Sequence, residues 1–508
     1  MRRLVLALVL ALALAGCAAQ AEPEPDEAWE PYEQERPEEP EQPEPEYPAA
    51  FSLAYHKDLT LDPITCAEGV QQEVASLLFE PLFRLDGSFE IVPCLCESFE
   101  WDESGRVCTL TLRQDAAFQD GSSLAARDVA ATLQRAAASE RYGYRLRNMA
   151  SVSANRSGQV VITLAQPDRG FLALLDIPIV KSGTEDRPVP TGTGPYLLVT
   201  GGEGTYLLAN EEWWQGKRLP VEEIPLVHAK NRDTAMYLFS SRQVELLTVD
   251  PTDDLTAVTG QYITTYQPTT VLQFLGFNTR RGVFADAAAR SAFSRGVPRE
   301  TMAEVQLAGL AQAAQFPMSP LWSLYPGELE VPYDRDGTAA ALAALDAGGE
   351  ERELVLLVSE EDSFRLTCAR FIAESLSVGG WTVNIQALPW EEYLLALEAG
   401  EFDLYFGEVR LTANWDLRDL IGSGGALNYG GYADEYTDLL LEGFAAGLDR
   451  RANTRELCLR LLEQAPIAPL CFKSYTVLTH PDVVEGQSAA PGYSFYRLED
   501  WTIRLAEK

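Results

Sequence analysis

Residues able to do chemistry are few and scattered in this 508-residue chain. It has three histidines, His56, His228 and His480, far apart in sequence and with no neighbouring pair. Each reads as a structural or surface residue before a general base or metal ligand. Apart from Cys17, seven cysteines remain: Cys66, Cys94, Cys96, Cys108, Cys368, Cys458 and Cys471. They show no CxxC pair and no zinc spacing, and most sit among apolar neighbours, as small buried hydrophobes do. Their number is odd, so at least one is unpaired within the chain, and Cys94 and Cys96 share one face of an extended segment too closely to bridge comfortably. Motifs of catalysis and nucleotide binding (GxSxG, HExxH, SxxK, GxxxxGK[ST], GxGxxG opening a helix) do not occur. Asp and Glu total 76, and nothing singles out a catalytic pair among them. Binding therefore takes precedence over catalysis: no enzyme activity, cofactor or metal centre is expected.

The elements that would position a binding site alternate between strand and helix. Residues 107–113 alternate, with Cys108, Leu110 and Leu112 on one face, which predicts a half-buried strand. Asp120-Gly121 follows as a turn, and residues 124–138 read as a helix with Val129, Leu133 and Ala136 as its apolar stripe. Later, an apolar run over 353–358, a helix over 363–377 stopped by Gly379-Gly380, and a strand over 381–388 form a βαβ unit whose strands should be parallel. The class is α/β with mixed sheets, and the length allows two to four domains.

Composition and the first residues narrow the partners. A formal net charge of −36 and a sequence pI near 4.4 repel phosphate backbones, so nucleic acid is not an expected partner. Met1-Arg2-Arg3 and the apolar run Leu4 to Ala15 have the build of a signal peptide, too short for a mature membrane span. The run ends in Leu14-Ala15-Gly16-Cys17, which resembles the bacterial lipobox and implies a lipidated Cys17 as mature N-terminus. Residues 22–48 hold twelve acidic residues and eight prolines against one Arg36, the composition of an extended, solvated tether.

One stretch is more specific. Leu78-Phe79-Glu80-Pro81-Leu82 is followed by Asp86-Gly87, Pro93-Cys94-Leu95-Cys96-Glu97-Ser98 and then Phe118-Gln119-Asp120-Gly121-Ser122-Ser123-Leu124 with Asp128-Val129. This resembles the signature of family 5 extracellular solute-binding proteins, the oligopeptide, dipeptide and nickel class of ABC importers. Thr191-Gly192-Thr193-Gly194-Pro195-Tyr196, Trp213-Trp214-Gln215-Gly216-Lys217, the block from Asn278 through Phe284, Asp286 and Arg290 to Arg299-Glu300, and Gly400-Glu401-Phe402-Asp403-Leu404 extend it along the body. Asp286 and Arg290, four apart, could also pair on a helix.

The resemblance implies a type II periplasmic-binding-protein-like fold: two lobes with mixed sheets joined by a hinge, plus an inserted subdomain. Its expected layout is signal peptide 1–17, tether 18–48, lobe one 49–74, inserted subdomain 75–180, lobe one 181–268, lobe two 269–474 and lobe one 475–508. It implies a monomer, lipid-anchored to the bacterial membrane and facing the exterior or periplasm. Such a protein captures short peptides or another small solute between its lobes and delivers them to ABC permease subunits. A nickel-type metal chelate or other cationic solute, a secreted hydrolase and a signal receptor on the same fold are the alternatives. Two departures stand out. Ala125 replaces the usual Thr helix cap, and Pro298 replaces the Asp before Arg299. In the loop after Gly407, Arg410 and Ala413 stand where peptide-binding members carry a Trp and the Asp that holds a peptide's ammonium, leaving Asp416 as a substitute. The expected ligand contacts are Arg410, Thr412, Asn414, Trp415, Asp416, Asn428, Tyr429 and Phe274. Arg410 would clamp a carboxylate bidentately, and Trp415 would stack on the ligand or pack the loop.

Overall fold

The computed structural model describes residues 47–67, 69–202, 204–250, 258–307, 310–345, 352–447 and 449–507. The signal segment, Cys17 and nearly all of the tether lie outside them. The chain divides into units Met1–Pro45 and Glu46–Lys508, and the architecture is that of the second.

Two long strands organise it. Ile263–Phe277 and Ile467–Thr479 run antiparallel at the centre of an eleven-stranded mixed sheet. On one side the sheet continues through Leu404–Arg410, Glu353–Ser359 and Thr382–Leu388. On the other it continues through Leu246–Val249, Leu53–Tyr55, Glu223–His228, Gly204–Ala209 and Tyr196–Gly201. The long strands thus belong to both lobes. Their pairing slips between Pro268 and Leu272. There the Thr269 hydroxyl donates to the Lys473 carbonyl (2.6 Å) and accepts from the Val271 amide (3.0 Å), while the Thr270 hydroxyl donates to the Leu411 carbonyl (2.6 Å). Threonine side chains thereby satisfy backbone groups that the interrupted ladder leaves over.

The predicted βαβ unit is present: Glu353–Ser359 pairs parallel with Thr382–Leu388 across helix Ser363–Leu376, and Gly379 and Gly380 both take positive φ beyond it. A separate four-stranded antiparallel sheet, ordered Cys96–Trp101, Val107–Leu112, Val160–Leu164, Met149–Ala154, packs on helix Ala126–Ala137 and forms the inserted subdomain. Ala125 caps that helix without a side-chain bond, and Asp128 reaches back to accept from the Ala125 amide at 3.0 Å. The expected Asp286–Arg290 pair does not form. Asp286 is the N-cap of helix Ala287–Arg295 and accepts from the Ala288 amide, while buried Arg290 donates to the carbonyls of Phe284, Gln464 and Ala465. The backbone oxygens around the guanidinium satisfy more of its donors than one carboxylate would.

Glycine is required where the loop 192–195 meets the end of helix Gly69–Leu78. A Cβ on Gly194 would lie 2.5 Å from the Leu77 carbonyl oxygen, and one on Gly192 would overlap that of Leu78. Lobe two has apolar cores on both faces of its sheet. The first is rich in aromatic rings and takes in Leu85, Phe89 and Ala173 from the inserted subdomain, so the two bodies share one core.

Candidate functional site in the interlobe crevice

Strand direction locates the site. Leu246–Val249 runs from Thr479 toward Thr476 of its neighbour, so its carboxyl end points at the slip in the long strands. Leu404–Arg410 runs from Phe277 toward Val271, so its carboxyl end points at the same slip from the opposite lobe. Leu53–Tyr55 and Glu223–His228 run parallel to the first strand, and Glu353–Ser359 and Thr382–Leu388 parallel to the second. In open α/β sheets, ligands gather in the crevice outside the carboxyl ends of the strands. Here two such sets of ends face one another across the crossover.

The polar residues at that crossing come from both lobes. Lys473, 4% exposed on the second long strand, places its ammonium 3.4 Å from Asp250 of lobe one and 3.1 Å from Glu408 of lobe two. Gln273 also donates to Glu408. Arg410 ends its strand exposed to solvent and donates from Nη2 to the Tyr475 hydroxyl at 2.8 Å. Among the described residues no carboxylate lies within ion-pairing distance of Arg410.

Of the other expected contacts, Phe274 is buried against Tyr405 and covers Gly407 in the strand that leads to Arg410. Trp415 is fully buried at φ 59°, ringed by Phe89 (5.1 Å), Phe472 (5.7 Å) and Trp322 (5.9 Å), so it packs the loop. Thr412 is half-buried, and its carbonyl accepts from the Trp415 amide. Buried Asn414 donates to Asp168 of the inserted subdomain at 2.8 Å, and its carbonyl accepts from Arg450. Burial, with Asp416 nearby, pushes the Asp168 carboxyl up to about 6. Asp416 is engaged by Arg418 through two bonds of 2.8 Å and by Arg147 at 3.3 Å. Burial opposes its ionisation, and these guanidiniums outweigh burial and hold its carboxyl below the ordinary range. Asn428 staples its own loop, donating to the Gly422 and Tyr432 carbonyls, and Tyr429 meets Tyr405 edge-on at 6.2 Å. The structure therefore brings Arg410 to the crevice, while Asn414, Trp415 and Asp416 join lobe two to the inserted subdomain.

Sequence reasoning missed the lobe-one wall. Glu73, on helix Gly69–Leu78, accepts from the Ser494 hydroxyl at 3.4 Å. That hydroxyl lies 3.1 Å from Thr248 Oγ1 and 3.5 Å from Gln267 Nε2. Burial pushes the Glu73 carboxyl from 4.5 up to about 7, against the pull of those two hydroxyls. No arginine, lysine or histidine among the described residues pairs with it. Glu73 gives a weak sequence signal, being the single charge on its helix beside two glutamines. Lys473 gives one as well, as a lone charge in an otherwise apolar and hydroxylic strand.

The histidines need a correction. His56 and His228 are neighbours, their rings 5.1 Å apart and perpendicular, because Tyr55 and His228 are register partners on parallel strands. Each Nδ1 accepts a backbone amide at 3.3 Å, from Asp58 and Lys57 respectively, which leaves the ring proton on Nε2. His480 is buried, stacked on Phe239 at 4.3 Å and 3.9 Å from Glu245. All seven body cysteines are buried free thiols. Among the described residues no group of three or more His, Cys, Asp or Glu side chains could hold a metal ion.

A two-lobed α/β fold with strands crossing between the lobes and an inserted subdomain defines the class. Residues 90–420 match bacterial extracellular solute-binding proteins, family 5 (middle), and the chain belongs to that family. It is similar to the glutathione-binding protein GsiB of Salmonella typhi, 25% identical over 291 residues, covering 54% of this chain. That match spans only 57% of the relative's own length. It is also similar to the oligopeptide-binding protein AppA of Bacillus subtilis, 22% identical, covering 85% of this chain and 87% of the relative. In fold it is similar to the nickel ABC transporter structure from Bacillus halodurans, with a TM-score of 0.73 at 20% identity over 86% of this chain and 96% of that one.

Proposed function

We propose that this chain is the substrate-binding component of an ABC importer, capturing short peptides in the interlobe crevice and delivering them to membrane permease subunits. The observation that carries the reading is Arg410, an exposed guanidinium without a carboxylate partner among the described residues, at the point where the strand ends of both lobes converge. In a chain of net charge −36, a cation left unpaired at a crevice is a site for a ligand carboxylate. Family membership and the peptide-binding relatives support the class of ligand. The protein acts by lobe closure, breaks no bond in its ligand and works as a monomer. Lipid on Cys17 and the acidic tether hold the body at the outer face of the bacterial membrane, raising its effective concentration near the permease.

A test is calorimetric titration with short peptides carrying either a free or an amidated C-terminus. Wild type should prefer the free carboxylate, and Arg410→Gln should abolish that preference with a loss of about ten- to a hundred-fold, as expected for a charge-assisted pair. Equal binding of both peptides by wild type would remove Arg410 from the site. A second reading, a carboxylate-bearing metal chelate, has the same guanidinium in its favour. The His56–His228 pair does not add to it, since both rings present Nε2–H. Peptide-independent retention of nickel after dialysis, lost in Arg410→Gln, would select the chelate.

A further inference from the structure

In lobe two the carboxylates near Arg410 are already engaged, Glu408 by Lys473 at 3.1 Å. Ala413 offers no carboxylate, and both oxygens of Asp416 are taken by Arg418 and Arg147. An ammonium would have to displace two guanidiniums to be held there. On lobe one the situation is reversed. Glu73 is half-buried, receives only hydroxyl donors, and has no cationic partner among the described residues. A carboxylate kept partly out of water without a counter-charge is costly unless a partner arrives.

Glu73 and Arg410 are also related through one register pair of the long strands. Ser494 joins Glu73 to Gln267 through bonds of 3.4 and 3.5 Å. Gln267 is the direct register partner of Tyr475 on the other long strand, so their side chains leave the same face of the sheet. Tyr475 accepts from Arg410. That pair adjoins the slip at residues 268–272, with a carboxyl group on the lobe-one side and a guanidinium on the lobe-two side.

We propose that Glu73 is the subsite for the ligand's ammonium group, so that a zwitterionic ligand spans the crevice with its amine on lobe one and its carboxylate on Arg410 of lobe two. This rests on the peptide-capture reading and deepens it. A ligand held at both ends by opposite lobes draws them together, which an amine clamp confined to lobe two does not do. Ser494 positions the carboxylate, donating to it at 3.4 Å with Thr248 3.1 Å behind its hydroxyl, and the carboxylate keeps lone pairs for the incoming N–H groups.

The test uses the full body with a set of short peptides, each free or N-acetylated at its amino end, titrated into wild type, Glu73→Gln and Glu73→Asp. The expected result is a preference of tenfold or more for the free amine in wild type, its disappearance in Glu73→Gln, and partial return in Glu73→Asp. Circular dichroism melting of each variant separates a local effect from misfolding, and Glu73→Gln should melt no lower than wild type. If wild type prefers the free amine and Glu73→Gln keeps that preference, the subsite is elsewhere and the proposal is overturned. If wild type binds free and acetylated peptides equally, the ammonium subsite is overturned while peptide capture stands. If wild type binds neither, peptide capture itself fails and the subsite falls with it.

Discussion

Glu73 has a consequence for stability that is independent of ligand. Its folded-state value, about 7, lies above the ordinary 4.5, so the folded protein binds this proton more tightly than the unfolded chain. The stabilisation is fully present below about pH 4.5 and is lost as pH rises through about 7. Glu73→Gln carries no such dependence. Its advantage over wild type in the free energy of urea unfolding should therefore grow across that window to about 2 kcal/mol, allowing for partial solvent screening. A constant difference between the two across the pH series would show that Glu73 ionises as freely in the fold as outside it. Residue identities told less than their partners did. Arg410 was visible as an unexpected guanidinium in a loop, but its lack of an acid depended on what folded beside it. Asp416 looked available until Arg147, remote in sequence, closed on it. His56 and His228 have the whole inserted subdomain between them in sequence and meet only through strand register.

Elements were more legible than side-chain partners. The alternating run at 107–113 and the βαβ unit at 353–388 are set by local periodicity, and both occur as strands and helix of nearly the expected extent. The crossover was harder to read. Pro268 marks the slip locally, having no N–H for the ladder, but its register partner on a distant strand is not written there. Docking of the inserted subdomain is also long-range. Phe89, at φ 59° and buried, inserts against Trp415, itself at φ 59°. Phe89→Ala should cost about 3 kcal/mol in urea unfolding, the range for an emptied aromatic core site. It should also loosen the contact of the subdomain with lobe two, read as faster amide exchange in residues 411–417. Unchanged exchange there would mean the two bodies hold together without that ring. Gly194→Ala should be severely destabilising, since its Cβ would meet the carbonyl oxygen of Leu77 at 2.5 Å. A melting temperature equal to wild type would indicate that the loop at 192–195 has room the close approach denies it.

Charge acts at the scale of the whole molecule. With a net charge of −36, long-range repulsion opposes the approach of anionic solutes and favours cationic ones, whatever Arg410 does at contact. Association rates for an acidic peptide should rise with salt, and those for a basic peptide should fall, because salt screens the far field more than the contact pair. Stopped-flow fluorescence across an ionic-strength series checks both signs, and rates that ignore salt would confine steering to the crevice itself. The proposed two-ended grip also predicts that a zwitterionic ligand lowers the radius of gyration by X-ray scattering in wild type. Arg410→Gln and Glu73→Gln should each weaken that closure.

The central claim is capture of short peptides between the lobes, and native mass spectrometry of residues 49–508 purified from the native host addresses it directly. The account predicts a heterogeneous set of mass additions, released on mild denaturation and sequenced as short peptides with free termini. A single uniform addition that is not a peptide, such as a metal chelate retained through Arg410, would contradict it.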